Sequence, residues 1–147
     1  MGRYISNSPE ETKEIGFRLG RFLKAGDVVG LYGELGSGKT MFVKGLAQAF
    51  GIEDKDIMSA SFTMISQYNT DPIFSHIDLY RIEKESQLDD IGLWDQIVSE
   101  GISVIEWADK AERWLPEGTI KVYLRTLGNN MREIIIEGKD EQDRDNL

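Results

Sequence analysis

The sequence contains no cysteine, which removes disulfides, thiol nucleophiles and Cys-rich zinc sites from the possible chemistries and favours an intracellular setting. Positive charge is scarce as well. Seventeen Lys and Arg stand against 26 Asp and Glu, a formal charge of −9 that repels a phosphate backbone and opposes unaided nucleic-acid binding as the main function. The basic residues are scattered, and the run from Glu137 to Asp145 is acidic, with the composition of a solvated tail over about residues 138–147. No apolar run approaches membrane-spanning length, and the start Met1-Gly2-Arg3-Tyr4-Ile5-Ser6 lacks the apolar core of a signal peptide. A cytoplasmic protein without membrane association is expected. Repeats, low complexity and an interdomain linker are also missing, so the natural reading of residues 1–147 is one domain, a central sheet with helices over its faces.

Against these absences stands one highly specific stretch, Gly33-Glu34-Leu35-Gly36-Ser37-Gly38-Lys39-Thr40. It fits the phosphate-binding P-loop pattern of Gly, four residues, Gly-Lys-Ser/Thr. Chance would produce those four fixed positions in roughly one chain of this length in several hundred. Each position has a chemical task. Gly33, Gly36 and Gly38 let the backbone wrap a phosphate with its N–H groups turned inward, Ser37 belongs to that wrap, Lys39 brings a positive charge to the β/γ oxygens, and the Thr40 hydroxyl can ligate Mg2+. The flanks agree: Asp27 to Tyr32 is apolar enough for a buried strand, and Phe42, Val43, Leu46, Ala47 and Phe50 recur at helical spacing. A loop joining strand to helix aims the helix N-terminus at the phosphate. The ligand class is a nucleoside triphosphate with magnesium.

The remaining pattern predicts a mixed α/β sheet flanked by helices. Asn7 or Ser8 before Pro9-Glu10-Glu11 opens a helix whose apolar face is Ile15, Leu19, Phe22 and Leu23, and Gly51 marks the end of the P-loop helix. Thr63 to Tyr68 and Ile73 to Asp78 read as a hairpin about the turn Asn69 to Pro72. Glu83 to Ser99 reads as helical with an interruption near Gly92, Ile102 to Ile105 as a strand ending at Glu106-Trp107, and about Asp109 to Leu115 as a short helix stopped by Pro116. Strands over Ile120 to Thr126 and Glu133 to Glu137, joined through a Gly128-Asn129-Asn130 turn, form an antiparallel C-terminal hairpin.

Hydrolysis needs more than a cradle: a carboxylate to hold the metal's water shell and a group to orient the attacking water. Asp78 and Glu106 both close predicted strands, where an open α/β sheet binds its ligand. Glu106 is the better match to an apolar strand ending in an acid. Which of the two activates water is open at this level. The single histidine, His76, lies two residues before Asp78 on the same strand face, where a structural or hydrogen-bonding role fits better than general-base work. Trp107 suits core packing, or a wall of the nucleotide pocket. Ser59 to Thr63 sits where P-loop proteins place a γ-phosphate-sensing loop, although an ordinary connection would have the same composition.

In chain order, the P-loop, Ser59-Ala60-Ser61-Phe62-Thr63, His76-Ile77-Asp78-Leu79-Tyr80-Arg81 and Val104-Ile105-Glu106-Trp107 together resemble the motif set of the bacterial TsaE (YjeE) family, over roughly residues 8 to 125. The resemblance implies a three-layer P-loop NTPase-like fold. It also implies a small ATPase with low, partner-dependent turnover, required for threonylcarbamoyladenosine modification of tRNA and acting with TsaD and TsaB type proteins. By the same resemblance, Gly36 to Thr40 bind the phosphates of ATP or ADP, Lys39 assists catalysis, Thr40 and Glu106 hold Mg2+, and Asp78 is a metal-shell or catalytic acid. Thr12 is a candidate for approaching the base. Three positions depart from the family pattern. Ala60 and Ser61 replace the Pro-Thr common in the Ser-Pro-Thr-Phe segment, and Met41, a candidate for nucleotide binding by the resemblance, stands where many members carry a second threonine or serine, without the hydroxyl of those members for the α-phosphate. A small-molecule kinase would need an acceptor pocket and an Arg-bearing lid, and no insertion is large enough for a lid. A non-hydrolytic nucleotide-gated binding module stays open as the third reading.

Overall fold

A computed structural model of the protein describes residues 2–57, 65–97 and 100–138. Seven strands form one sheet: β1 (Gly2–Ser6), β2 (Val28–Tyr32), β3 (Ile65–Tyr68), β4 (Phe74–Asp78), β5 (Ile102–Glu106), β6 (Ile120–Thr126) and β7 (Arg132–Glu137). Their order is β1-β7-β6-β2-β5-β4-β3. The inner strands β6, β2, β5 and β4 run parallel, whereas β3 and the β7–β1 pair add antiparallel edges. The helices are α1 (Pro9–Gly20), α2 (Lys39–Gln48), α3 (Ser86–Asp90) and α4 (Leu93–Ile97), with 3-10 segments at Asp54–Asp56 and Ala108–Trp114.

Strands β4 and β5 are buried at every position, including at Ser75, His76, Asp78, Ser103 and Glu106. Helices cover both faces of the sheet there, so neither sequence alternates. On one face, α1 and α2 pack Leu19, Phe42, Val43 and Leu46 onto Val29, Leu31, Val104 and Val122. On the other, Leu88, Leu93, Ala108 and Ala111 cover Val28, Ile77 and Ile105. Those are the three layers expected from the sequence.

Helix α1 begins as its capping residues require. Ser8 is extended, its Oγ accepts the Glu11 N–H at 3.1 Å, Pro9 occupies the first turn, and Glu10 and Glu11 face the positive end of the dipole. Helices α1 and α2 then meet backbone to backbone. A Cβ at Gly45 would lie 2.0 Å from the Lys13 carbonyl oxygen, and one at Gly16 would lie 2.4 Å from that of Phe42. This contact carries the first turn of α1 to the P-loop end of α2.

One element was not expected from the sequence, and two sharpen what was. Strand β1 has no strand signal of its own; it forms because it adds to β7 in antiparallel register, with Arg3 pairing Glu133 at 2.7 Å. The helical stretch expected from Glu83 to Ser99 has its interruption where the sequence places it: two five-residue helices are separated at Ile91-Gly92, where Gly92 has φ 72°. The short helix expected before Pro116 is a 3-10 helix over Ala108–Trp114, kinked at Ala111. Residues 63 and 64 of the predicted hairpin strand, the whole Ser59 to Thr63 segment, Val98-Ser99 and the acidic tail beyond Gly138 lie outside the described residues.

The α1–α2 contact supplies a stability test. Gly45→Ala should lower the unfolding free energy by about 1–3 kcal/mol through overpacking, despite alanine's better helix propensity. Gln48→Ala, at an exposed position of the same helix, should change it by less than about 0.5 kcal/mol. Urea unfolding of the two variants measures both.

Candidate functional site

The site forms where β2 leaves the sheet between β5 and β6. From Tyr32 the chain turns through Gly33 to Gly38 and enters α2 at Lys39. Gly38 occupies the N-cap position at φ 99°, ψ 12°, a left-handed conformation that glycine tolerates without strain. No side chain caps this helix start, so its N-terminal dipole is presented to the loop. Three other elements converge on Gly38: Thr12 of α1, Leu124 of β6 and Arg132 of β7 all lie within 4 Å of where its Cβ would stand.

Lys39 is buried and held at the loop's own backbone. Its Nζ donates to the carbonyls of Gly33 and, at 2.8 Å, Glu34, and it lies 4.1 Å from the centroid of the Trp107 ring. Burial pushes the ammonium below its ordinary pKa, and the carboxylates of Glu106 and Asp78 pull it partly back. Gly33 and Ser37 therefore brace Lys39 from behind, with Ser37 Oγ 3.5 Å from Nζ.

Register sets the two acids. Parallel pairing of β4 with β5 places Asp78 directly beside Glu106, both at strand ends. Burial pushes the Asp78 carboxyl up, and the Glu106 charge adds to that; the Tyr80 N–H, donating to Oδ1 at 2.9 Å, and Lys39 offset only part of it. Glu106 Oε2 lies 2.6 Å from His76 Nε2, with both side chains buried. Trp107 follows at φ 59°, ψ 44°, a left-handed conformation rare for a bulky residue. Its ring packs on Tyr80 at 5.3 Å, and Lys110 donates to the Tyr80 carbonyl beside both rings.

These groups line a cleft of about 450 Å³. Of the residues expected from the sequence, Gly36, Gly38, Lys39, Thr40, Met41, Thr12, Asp78 and Glu106 share its wall, while Gly33 and Ser37 sit behind it. Thr12 is buried, and its hydroxyl shares a 2.7 Å hydrogen bond with that of Ser6. The structure adds residues that sequence reasoning missed, chief among them Arg132 and Tyr80. Arg132 Nη2 donates to the Gly36 carbonyl at 3.0 Å, and its Nη1 donates to Gly128 and Met131 carbonyls, tying the hairpin turn to the P-loop. No local pattern could have revealed a contact across 96 positions. Among the described residues, no group of three or more His, Asp or Glu is arranged to hold a metal by itself.

The raised Asp78 carboxyl has a stability signature. Because the folded state binds this proton more tightly than the unfolded state, the native protein loses stability as pH rises from about 4, the unfolded aspartate range, through the folded value. Asp78→Asn retains an acceptor for the Tyr80 N–H and removes the titration. Its melting temperature without ligand should exceed that of the wild type at neutral pH, and the two should converge as the pH is lowered toward about 4. Thermal melts across that range read the difference.

Comparison with known proteins agrees with this geometry. The family model described as "Threonylcarbamoyl adenosine biosynthesis protein TsaE" matches residues 6–134. The protein of Treponema pallidum (strain Nichols) named tRNA threonylcarbamoyladenosine biosynthesis protein TsaE is 39% identical over 134 residues, covering 91% of this chain and 98% of that one. The protein of the same name from Bacillus subtilis (strain 168) is 40% identical over 129 residues, 86% of this chain and 79% of its own. Among solved structures, Bacillus subtilis YdiB superposes with a TM-score of 0.74 at 32% identity, over 96% of this chain and 87% of that one. A P-loop NTPase-like sheet, a strand-end carboxylate pair facing the loop, and similarity along nearly the whole chain converge: this chain belongs to the TsaE family.

Proposed function

We propose that the cleft binds ATP with Mg2+ and hydrolyses it to ADP, and that this turnover serves threonylcarbamoyladenosine modification of tRNA in the cytoplasm, through partners of the TsaD and TsaB type. The observation that carries the reading is the meeting of Lys39 and Thr40 with Asp78 and Glu106 in one cleft, at the carboxyl ends of parallel strands β2, β4 and β5. A cradle alone would bind. Two acids opposite it supply what hydrolysis adds.

In this reading Lys39 exchanges its neutral carbonyl acceptors for phosphate oxygens, a charge-assisted and stronger interaction. The Thr40 hydroxyl and the Glu106 and Asp78 carboxylates form a hard, all-oxygen donor set. That set suits Mg2+, which is held by one or two carboxylates together with substrate phosphates and water, and needs no all-protein cage. Held there, such an ion would supply positive charge against that developing on the transferred phosphoryl group. Glu106 is the better placed to hold its shell, because His76 holds one of its oxygens, whereas Asp78, raised by burial, is the acid available for orienting water. Thr12, Met41 and Arg132 complete the lining of the cleft, and Thr12 is the candidate for approaching the base.

The relatives' names point to tRNA modification. A formal charge of −9 is poorly matched to gripping tRNA directly and well matched to an ATPase that leaves RNA to its partners. Lys39→Ala should lower the rate of inorganic phosphate release by about 10²–10³-fold. Supplied to cells depleted of this protein, which keep every other component of the modification, the wild type should restore the modified base in tRNA and the variant should not. Equal modification with both would sink the proposal, and labelled γ-phosphate recovered on a metabolite would replace it with a kinase.

A further inference from the structure

A groove of about 310 Å³, lined by Glu85, Ser86, Asp89, Trp94 and Trp114, shares no residue with the wall of the nucleotide cleft. Two indoles in edge-to-face contact form part of it, their centroids 5.8 Å apart at 61°. Trp94, on α4, packs against the second core and donates from Nε1 to Asp89. Trp114 ends the 3-10 helix that begins just after Trp107, and 47% of it is exposed. The surroundings are acidic: residues 83–95 contain Glu83, Glu85, Asp89, Asp90 and Asp95, all exposed, against Lys84 alone.

Acidity by itself makes only a solvated face. The tryptophans add something else, because a half-exposed indole whose orientation is already fixed by a second one is a preformed wall of the kind that dominates partner contacts. Arg113 shows what that wall accepts. Its guanidinium carbon stands 5.5 Å from the centroid of the Trp114 ring, and its Nη1 lies 3.5 Å from Glu85 Oε1. A guanidinium thus sits between an indole and a carboxylate of the groove. The hold is loose: 3.5 Å exceeds the length of about 2.7–2.9 Å of a charge-assisted hydrogen bond, and the Arg113 and Glu85 side chains are 76% and 50% exposed.

The geometry points to this groove as the docking site of a basic protein segment, which lays an arginine on Trp114 and pairs it with Glu85 in place of Arg113. Charge selects that occupant. Nucleic acid and anionic membrane surfaces would meet five carboxylates of their own sign. A second copy of this chain would add like charge to like, and an apolar helix would strip water from the acids without replacing it. Arginine suits the groove better than lysine, since its planar, weakly hydrated head stacks on an indole while its edge donates to a carboxylate. The inference does not rest on nucleotide hydrolysis. The 3-10 helix that ends in Trp114 starts beside the cleft, however, so a partner held there would stand one short element from the nucleotide.

Two measurements test it. In 15N-labelled protein the three indole N–H signals, assigned through single Trp→Phe variants, report Trp94, Trp107 and Trp114 separately. N-acetylarginine amide should shift the Trp94 and Trp114 signals saturably, and N-acetylcitrulline amide, of the same shape without the charge, should not. In Arg113→Ala the half-saturating concentration should fall about two- to fivefold, the range that an exposed ion pair can withhold. No shift, a shift confined to Trp107, equal shifts with both probes, or weaker binding by Arg113→Ala would overturn the inference. In cells, the photo-crosslinking variant Trp114→p-benzoylphenylalanine should capture a partner protein at a segment that contains arginine. Changing that arginine to glutamate should abolish the crosslink, and adding Glu85→Arg to this chain should restore it. Native dispersion of the remaining indole signals identifies each variant as folded. Failure to crosslink, capture only of a second copy or of RNA, or a crosslink indifferent to the partner's arginine would overturn it as well.

Discussion

The cleft depends on a lysine that is buried before it has a ligand. Lys39 is surrounded by its own loop carbonyls, the face of Trp107 and the carboxylates of two strand ends, and each neighbour offsets part of the cost of removing its charge from water. The acids are held under the same constraint. Burial and mutual repulsion raise Asp78, and Lys39 is one of the groups that limits the rise. Removing Lys39 would leave two neighbouring acids without their shared cation, so the site's electrostatics are those of a group and not of separate residues. A polyanion with a divalent cation would enter a place already arranged for charge, which is the sense in which such sites are preorganised.

Rigid backbone contacts hold that arrangement in place. The glycines between α1 and α2 let the helices touch at main-chain distance, and that contact delivers Thr12 to the loop. On the opposite side, Arg132 reaches from the start of β7 to the Gly36 carbonyl. Its anchor is in turn secured by Glu133, which pairs with Arg3 of β1 and Arg125 of β6 across three strands. The amino-terminal strand and the carboxy-terminal hairpin, which carry no phosphate chemistry of their own, thus fasten the wall of the P-loop. Trp107 completes the enclosure in a backbone conformation that only its surroundings stabilise, a common mark of functional sites.

Much of this was legible in local sequence because local physics governs it. The Gly-rich loop between an apolar strand and an amphipathic helix, the Ser8-Pro9-Glu10-Glu11 helix start, and the acids closing β4 and β5 each rest on interactions within a few residues, and each lies where the sequence places it. Strand β1 was invisible because its pairing partner, β7, lies at the far end of the chain. The short helix after Trp107 was legible as a helix but not as 3-10, because its apolar spacing is compatible with either helix type and packing against the sheet chose the tighter one.

By itself, then, the sequence determined the strand–loop–helix unit and the identity of the two acids that close β4 and β5, since glycine conformations, hydroxyl and ammonium placement, and strand-end position are all properties of short segments. Only the tertiary structure decided that Asp78 stands beside Glu106, that His76 faces the second of these, and that Arg132 grips the loop. Those relations are set by strand register and sheet order. Shifting a strand by one residue would turn its side chains to the other face, and no local pattern specifies which strands become neighbours.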